Sequence, residues 1–450
     1  MPESKSVNSS VTQRQRPSIS RDDKMQKIER FVSNQLKLLE AERLAVTKQE
    51  RLESRELGEE VAVEVVDVKK TKYGGLILQL KQRNDRKAPN FKVGENVGLL
   101  DDPGEDSEPF GGIIKKVFLK TYEVAVSESP EIFKEKRKWI LMKVTDNSSF
   151  KWMEEALEKI PENNSPLRDV LLGLANPKTN SVVNKNNNNP TSYQNKALDD
   201  SQKRAVQFAL QQSEIGVIHG PPGTGKTTTL VEIVHQSVRG GQKVLVTAAS
   251  HVAVDNIAER LARAGLNIIR IGHPARVTSD SVLEHTLDVR VGKQIETVEK
   301  IKFEYDTVRQ KLHSGRMSRL KLALGAEAKT LKKKMYKEKA KLKKMKETQI
   351  LGADVVLGTL IGCGSQLEFL DRRQHFQLVI IDECGQSMEM ACWIVIHRAP
   401  KVILAGDHHQ LPPTVISKSV KVSAELSKSL MERFFDLYFY NTGAVMLQVG

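Results

Sequence analysis

Apolar positions in the first 150 residues follow two different periods. Between Met25 and about Leu57, they recur at helical spacing, while lysine, glutamate and arginine occupy most of the remaining positions. This pattern predicts a stalk helix over 25–58, and a second element must cover its apolar stripe. The residues of the stripe are Ile28, Phe31, Val32, Leu36 and Leu39.

After this helix the period changes to two. Apolar and polar residues alternate in 61–65, and a glycine pair at 74–75 turns the chain into another alternating run. Later strand-sized runs are bounded by glycine, proline or acidic residues, so a small β-barrel is predicted over 59–147. These later runs lie near 93–100, 113–118 and 122–126.

The segment 148–196 is predicted to hold stalk helices near 150–157 and 167–174, followed by a linker. The linker is the asparagine-rich run at 176–189, which has no apolar pattern. Beyond it, almost uniformly apolar strands alternate with helices, which is typical of an α/β domain whose parallel sheet is covered on both faces. Such sheets bind ligands at the carboxyl ends of their strands. The predicted strands are 215–218, 244–247, 267–271, 355–358, 378–381 and 402–405.

A polar helical segment at 277–350 interrupts this strand pattern and ends in the basic run Lys329–Lys346. We predict that it is an insertion, which leaves 197–276 and 351–450 as two parts of one domain. A lysine-rich helix is either a solvated face or a surface that contacts a phosphate backbone, and the pattern leaves both open.

Composition and charge narrow the class of protein. With 450 residues and 39% apolar content, the chain can build two or three domains with real cores. A net charge of +14 favours a polyanionic partner, either nucleic acid or an anionic membrane, with a merely basic surface as the plainer alternative. No apolar run approaches the roughly 20 residues of a spanning helix, so we expect no membrane segment.

Targeting and redox features favour a reducing compartment. Residues 1–24 lack the apolar core of a secretory signal and are predicted to be a disordered tail. The three cysteines, at 363, 384 and 392, show no C-x-x-C pairing that would indicate a disulfide framework or a zinc knuckle. We expect the protein in the cytoplasm and nucleus.

One glycine-rich loop carries the strongest chemical signal. It matches G-x-x-x-x-G-K-T and lies between a predicted strand and a helix, where backbone N–H groups and the helix N-terminus can hold phosphates. Lys226 would reach the terminal phosphates, and Thr227 would ligate magnesium. The predicted cofactors are therefore ATP and Mg²⁺, with a glycine-rich turn that binds no nucleotide as the alternative. The predicted nucleotide-binding residues are Gly220, Pro221, Pro222, Gly223, Thr224, Gly225, Lys226, Thr227 and Thr228.

Two later segments supply the remaining chemistry. Asp382 and Glu383 follow a predicted buried strand, so Asp382 is expected to bind the metal and Glu383 to accept a proton from water. Gln410, in a loop after another strand, is expected to sense the terminal phosphate. The predicted catalytic residues are Glu383, Lys226 and Gln410. The plainer alternatives are an acidic pair at a helix start and an ordinary Gly/Pro loop.

These three segments together resemble the Upf-like group of superfamily 1 helicases. Their second and third motifs are D-E-x-x-Q and G-D-x-x-Q-L-P-P, which stand here at 382–386 and 406–413. Four more segments resemble the immunoglobulin mu-binding type within that group. They are Leu198–Gln202, Ala253–Asn256, Gly272–Arg276 and Ser429–Arg433.

The resemblance implies a RecA-like motor domain with a β-barrel inserted on a helical stalk, a helical insertion, and movement 5′ to 3′. It also implies that Gln202 contacts adenine and that Ser250, His251 and Thr359 contact single-stranded nucleic acid. Without the family, each of these last three would be an ordinary cap or turn residue. The chain has Ala-Ala-Ser-His at 248–251, where the family commonly has A-P-S-N. It also has Gly385 where the family usually has alanine.

The final residues, 444–450, resemble a strand that precedes the family's next motif, so the second RecA-like domain is expected to be absent from this chain. That domain brings arginines worth roughly 10³ to 10⁵ in rate. We therefore expect these residues alone to bind Mg-ATP weakly, to hydrolyse it poorly and not to unwind duplexes.

The expected partner is single-stranded RNA or DNA, with a ribosome or another ribonucleoprotein as a further candidate, and the expected state is a monomer. A nucleic-acid or ribonucleoprotein binding module without turnover is the alternative function. A P-loop kinase or transport ATPase is disfavoured, because it has no role for the Gln-Leu-Pro-Pro loop.

Overall fold

The computed structural model describes fifteen stretches of the chain. The predicted tail before residue 20, the turn at 74–75, most of the predicted linker and the segment 273–276 lie outside them. The described residues are 20–56, 60–70, 76–83, 91, 96–101, 110–126, 138–143, 148–178, 192–272, 277, 279–314, 318–368, 370, 376–438 and 444–446.

The chain divides into two units. One comprises the described parts of Met1–Val32, Glu155–Thr414 and Lys428–Gly450, and the other those of Ser33–Glu154 and Val415–Ser427. A long first helix, α1 (Arg21–Glu56), contributes to both. It begins four residues before the predicted start, because the hydroxyl of Ser20 accepts a hydrogen bond from the backbone N–H of Asp23 and caps the first turn. The last residues of the predicted tail are therefore helical.

Six antiparallel strands form a closed barrel in the second unit, in the order β1-β2-β5-β4-β3-β6, and β6 pairs with β1 to close it. Val63, Leu78, Val124 and Trp139 lie in its apolar interior. The sequence missed β6, since its Trp-Ile-Leu-Met core is continuously apolar and shows no alternation. The strands are β1 (Glu60–Lys70), β2 (Leu76–Gln82), β3 (Asn96–Asp101), β4 (Phe110–Val117), β5 (Thr121–Val126) and β6 (Lys138–Lys143).

The first unit contains a seven-stranded sheet in the order β13-β7-β12-β11-β8-β10-β9, in which every pairing is parallel. Five of these strands, β7, β8, β9, β11 and β12, are buried at every residue, in agreement with their largely apolar sequences. The strands are β7 (Ile215–His219), β8 (Val244–Ala248), β9 (Ile268–Arg270), β10 (Val355–Thr359), β11 (Leu378–Asp382), β12 (Val402–Gly406) and β13 (Ala444–Met446).

Helices accompany both units. Among them, α4 was not predicted as a helix, and the predicted insertion consists mainly of the long helices α9 and α10. Many of the lysines in the basic run of α10 are exposed. The helices after α1 are α2 (Ser148–Glu158), α3 (Pro166–Leu171), α4 (Asp200–Gln211), α5 (Lys226–Arg239), α6 (His251–Arg263), α7 (Asp280–Leu283), α8 (Leu287–Arg290), α9 (Gly292–Ser314), α10 (Ser318–Gly352), α11 (Leu360–Gln366), α12 (Glu389–Ile396), α13 (Val420–Leu426) and α14 (Leu430–Tyr438).

The core of the first unit lies between the sheet and the helices that follow its strands. Leu230 and Val234 of α5 and Ile257 of α6 are fully buried with strand residues such as Val246. This packing fixes each helix N-terminus next to the strand that precedes it. The loops that carry the predicted chemistry therefore leave a rigid sheet at one edge.

Candidate nucleotide site at the carboxyl edge of the sheet

The predicted phosphate loop and the predicted acidic pair leave the same edge of the sheet. The loop follows β7, the acidic pair ends β11, and only β12 separates these two strands. The end of β12 is joined to the loop, because the N–H of Gly220 donates to the carbonyl of Gly406 over 3.2 Å. The structure thus brings the loop, the acidic pair and the Gln410 loop to neighbouring strand ends.

The loop itself is shaped by glycine and closed by its own side chains. Gly223 and Gly225 have φ angles of 83° and 80°, a region that favours glycine. A Cβ added to Gly225 would also lie 2.4 Å from Nε2 of Gln202, so a larger residue would have to displace that side chain. The hydroxyl of Thr224 donates to the carbonyl of Pro221 over 2.9 Å. Helix α5 then begins directly at Lys226.

Lys226 is 8% exposed and its ammonium group is held inside the loop. Its Nζ donates to the carbonyl oxygens of Gly220 at 2.7 Å and Pro221 at 3.4 Å. These carbonyls occupy donors that phosphate oxygens could take instead, so the lysine is positioned for a ligand in the loop. The neighbouring Thr227 and Thr228 are half-buried at the first turn of α5. Arg260 of α6 donates to the hydroxyl of Thr228 over 3.1 Å.

Asp382 is a buried carboxyl group within the electrostatic reach of Lys226. Burial raises its pKa to about 6, and the charge of Glu383 adds to the rise, while the backbone N–H of Glu383 and the charge of Lys226 partly offset it. The carboxyl group and the lysine therefore interact electrostatically at the same edge of the sheet. A carboxylate kept at such cost in the interior is typical of a functional position.

Glu383 has φ 52° and ψ 39°, which is a strained conformation for a residue other than glycine. It precedes a short 3₁₀ turn, Cys384–Gln386, yet its side chain makes no capping bond there. Its carboxylate accepts instead from Nε2 of Gln386 over 3.3 Å. The plainer reading of the pair as a helix-start cap is thus not what the geometry shows.

Gln410 is held by Asp407, the residue that follows β12. Burial alone would raise the pKa of Asp407, but hydrogen bonds from Gln410, from the N–H of His409 and from His219 lower it to about 2. The bond from Nε2 of Gln410 measures 3.0 Å. A Cβ added to Gly385 would lie 2.7 Å from the carbonyl oxygen of Asp407, so the acidic segment and the Gln410 loop touch through their backbones.

Gln202 lies against the phosphate loop. It forms a capping box with Asp199 at the start of α4, and its Nε2 donates to the carbonyl of Thr224 over 3.2 Å. Sequence reasoning missed the buried Glu232 of α5, which accepts from the N–H groups of Gln194 and Asn195 and fixes the approach to α4. The Asp-x-x-Gln capping spacing was the available signal for that helix.

Ser250 and Thr359 stand at adjacent strand ends but act as helix caps. The hydroxyl of Ser250 accepts from the N–H of Ala253 over 3.2 Å, and that of Thr359 accepts from the N–H of Gly362 over 3.2 Å. These are the roles that their residue types predict without any family. The capped helices α6 and α11 begin on neighbouring strands, because β8 and β10 are paired.

His251 belongs to a buried network that the sequence did not reveal. Its Nδ1 lies 2.9 Å from a guanidinium nitrogen of Arg270, which is fully buried and also pairs with Asp255 over 3.1 Å. Because a guanidinium group only donates, Nδ1 of His251 accepts and the ring proton is on Nε2. His251 is therefore held in one orientation and one tautomer at the sheet edge.

No helix in the described part of the chain is both long enough and apolar enough to cross a membrane.

This chain is similar to several known proteins. Residues 197–418 match a family model described as an AAA domain. The chain is 37% identical over 449 residues to the DNA-binding protein SMUBP-2 of Mesocricetus auratus, an alignment that covers 93% of this chain and 44% of that protein. It thus spans less than half the length of that relative.

Two further relatives come from fungi and amoebae. One is the DNA polymerase alpha-associated DNA helicase A of Schizosaccharomyces pombe, with 33% identity over 80% of this chain and 56% of the relative. The other is the regulator of nonsense transcripts 1 of Dictyostelium discoideum, with 35% identity over 55% of this chain and 18% of the relative.

Proposed function

Because this chain belongs to the Upf-like superfamily 1 helicases, we propose that it is the ATP-binding part of a helicase that moves 5′ to 3′ on single-stranded RNA or DNA. The observation that carries the proposal is that buried Lys226 and buried Asp382 follow nearby strands at one sheet edge and interact electrostatically. A cation for phosphate and a carboxylate for its metal are the two features that phosphoryl transfer requires.

ATP binding is assigned to the loop from Gly220 to Thr228. In the proposed complex, Nζ of Lys226 exchanges its two loop carbonyls for oxygens of the terminal phosphates. The backbone N–H groups at the start of α5 face the same anion. Gln202 is oriented by Asp199 and Thr224 and is proposed to contact the adenine.

Magnesium fits the residues at this edge. Hydroxyl and carboxylate oxygens are the ligands that this ion prefers, and Thr227 and Asp382 would supply one of each. When bound with ATP, magnesium would neutralise charge on the phosphate oxygens. The strong burial of Asp382 supports this assignment, because an ionised carboxyl in the interior calls for a cationic partner.

Glu383 is proposed to orient and deprotonate the attacking water. Its backbone is strained, and Nε2 of Gln386, in the adjoining 3₁₀ turn, donates a hydrogen bond to its carboxylate. Gln410 is proposed to contact the terminal phosphate after leaving Asp407. Since the Glu383 segment and the Gln410 loop touch through Gly385, a shift in one would be felt by the other.

Strand binding is assigned to the other half of the edge, at Ser250, His251 and Thr359. Caps that orient two helix N-termini beside a fixed imidazole supply donors for a phosphate backbone. The exposed lysines of α10 and the barrel inserted in the motor are proposed as further contact surfaces, where a ribonucleoprotein partner could bind. Directional movement by a monomer is proposed to need the second RecA-like domain of the family.

The test uses the longest natural product that contains these 450 residues. Wild type should show strand-stimulated ATP hydrolysis and unwind duplexes with a 5′ single-stranded tail, but not those with only a 3′ tail. Lys226→Ala should lower hydrolysis by about 100-fold or more and abolish unwinding, because the phosphate cation is lost. The exposed Lys421→Ala is the matched control.

Hydrolysis that survives Lys226→Ala would refute the helicase proposal. A wild-type protein that binds strands without any strand-stimulated hydrolysis would support the alternative of a binding module without turnover.

A further inference from the structure

Three histidines to which the proposed function assigns no role in ATP binding meet beside the phosphate loop. His219 ends β7, and His408 and His409 follow β12 on the neighbouring strand. One ring nitrogen from each lies within 4.8 Å of the other two. In the described part of the chain, this is the one group of three or more potential metal ligands with that spacing.

Two of these rings have buried nitrogens without a hydrogen-bond partner. Nε2 of His219 lies 3.0 Å from Oδ1 of Asp407, and this leaves its Nδ1 buried and unpartnered. Nδ1 of His408 is also buried and unpartnered. A buried nitrogen without a hydrogen-bond partner is unfavourable, so each of these atoms calls for a ligand. His219 itself is only 4% exposed.

The surroundings have the form of a histidine metal site. The Asp407 carboxylate accepts from Nε2 of His219, which places the proton there and leaves the lone pair on Nδ1. A metal-binding histidine usually donates its other ring N–H to a carboxylate in this way. Phe435 stacks on His408 with ring centroids 4.4 Å apart and meets His219 edge-on, so an apolar wall excludes water from one side.

We propose that His219, His408 and His409 bind a divalent late transition metal, represented here by zinc, with Asp407 orienting His219. Three imidazoles and an open fourth position suit zinc, whereas magnesium prefers oxygen ligands and would not compete. Tetrahedral zinc places its nitrogen ligands about 3.4 Å apart, so the rings must close in slightly. His409 is exposed and its ring can make that movement.

The metal site would connect two loops at the carboxyl edge of the sheet, where the nucleotide is proposed to bind. His219 immediately precedes Gly220 of the phosphate loop, and His409 immediately precedes Gln410. A metal held by both segments would keep the Gln410 loop against β7. Zinc binding would therefore slow any ATP turnover that requires this loop to move. This effect on turnover rests on the proposed function, whereas zinc binding itself does not.

Zinc binding is tested on the 450-residue chain without a polyhistidine tag and without nucleotide. The metal is removed with a chelator, and zinc is titrated back against a chromophoric competitor in the presence of excess magnesium. Wild type should bind one zinc ion per chain. His409→Gln should weaken this binding by about tenfold or more, since one of three ligands is lost, and circular dichroism should show an intact fold.

His285→Gln is the matched control, because His285 also has a buried unpartnered Nδ1 but stands outside the cluster. Cobalt offers an independent readout, because a tetrahedral site gives a visible absorption band that His409→Gln should remove. The proposal is overturned if wild type binds no stoichiometric zinc, or if His409→Gln and His285→Gln bind it as wild type does. Either result leaves the ATP assignments untouched.

Discussion

Along the carboxyl edge of the sheet, the half formed by β7, β12 and β11 differs from the half formed by β8, β10 and β9. The first half holds a buried carboxyl with a raised pKa, Asp382, and unpartnered nitrogens on His219 and His408. In the second half, Arg270 is paired with Asp255, and Ser250 caps a helix. The carboxyl group and the histidine nitrogens of the first half offer ligand atoms to small ions, whereas the ion pair and the cap of the second half hold a rigid platform for a longer ligand.

The largest expected effect comes from the proposed base in the first half. Glu383→Gln keeps the shape of the side chain, so ATP affinity should stay within about threefold while kcat falls by about 10² to 10⁴, because the proton acceptor is lost. Strand-stimulated phosphate release by the longest natural product measures this. Glu425→Gln, at an exposed position, is the control. A kcat within tenfold of wild type would show that Glu383 is not the base, and the first half of the edge would then lose its proposed catalytic group.

In the second half, the largest effect should fall on stability. Arg270→Met leaves the carboxylate of Asp255 buried without its partner, which should lower the free energy of unfolding by about 3–5 kcal/mol. Arg263→Met removes an exposed pair with Glu259 on the same helix and should cost at most about 0.5 kcal/mol. Denaturant titration of the 450-residue chain compares the two. Equal stabilities of Arg270→Met and Arg263→Met would mean that the buried pair of Arg270 and Asp255 does not stabilise the second half of the edge.

Asp382→Asn should raise the stability of the chain, whereas Arg270→Met should lower it. The folded-state pKa of Asp382 is raised from 3.8 to about 6, so above pH 6 its ionised form is less favourable in the folded chain than in the unfolded one. In metal-free buffer at pH 8, the free energy of unfolding of Asp382→Asn should therefore exceed that of wild type by up to about 3 kcal/mol. The difference should shrink as the pH falls from 6 to 4, because wild type then binds its proton.

Thermal and denaturant unfolding at several pH values measure that difference. If Asp382→Asn were less stable than wild type at pH 8, the first half of the edge would have no uncompensated charge.

The smallest expected effect concerns a cap. Ser250→Ala should lower the free energy of unfolding by about 1 kcal/mol, and Ser250→Asn should restore it, because asparagine also accepts at this position. The affinity of both variants for single-stranded nucleic acid then shows whether Ser250 also contacts the ligand. If Ser250 contacts the strand as well, affinity falls in both variants; if it only caps α6, Ser250→Asn binds as wild type does.

Local patterns were enough to predict the sheet strands and the phosphate loop. Uniformly apolar runs such as 378–381 and the fixed spacing from Gly220 to Thr227 each carry their meaning within a few residues. Strand β6 was missed because its apolar run has no alternation, and α4 was missed although Asp199 and Gln202 have capping-box spacing.

Contacts between distant positions could not be predicted. His219 meets Asp407 across 188 residues, and Arg270 meets Asp255 and His251 only because β9 and α6 pack in the same unit. A single sequence does not encode such distances in any local period. The strained backbone of Glu383 is likewise imposed by its neighbours and not by its residue type.

The missing side chain at Gly385 has a mechanical consequence. An alanine there would press on the carbonyl oxygen of Asp407 at 2.7 Å and on Cα of His408 at 3.4 Å. Because no side chain separates them, the backbone at Gly385 and the backbone at Asp407 and His408 must move together. An alanine introduced at Gly385 should therefore be tolerated only together with changes around Asp407.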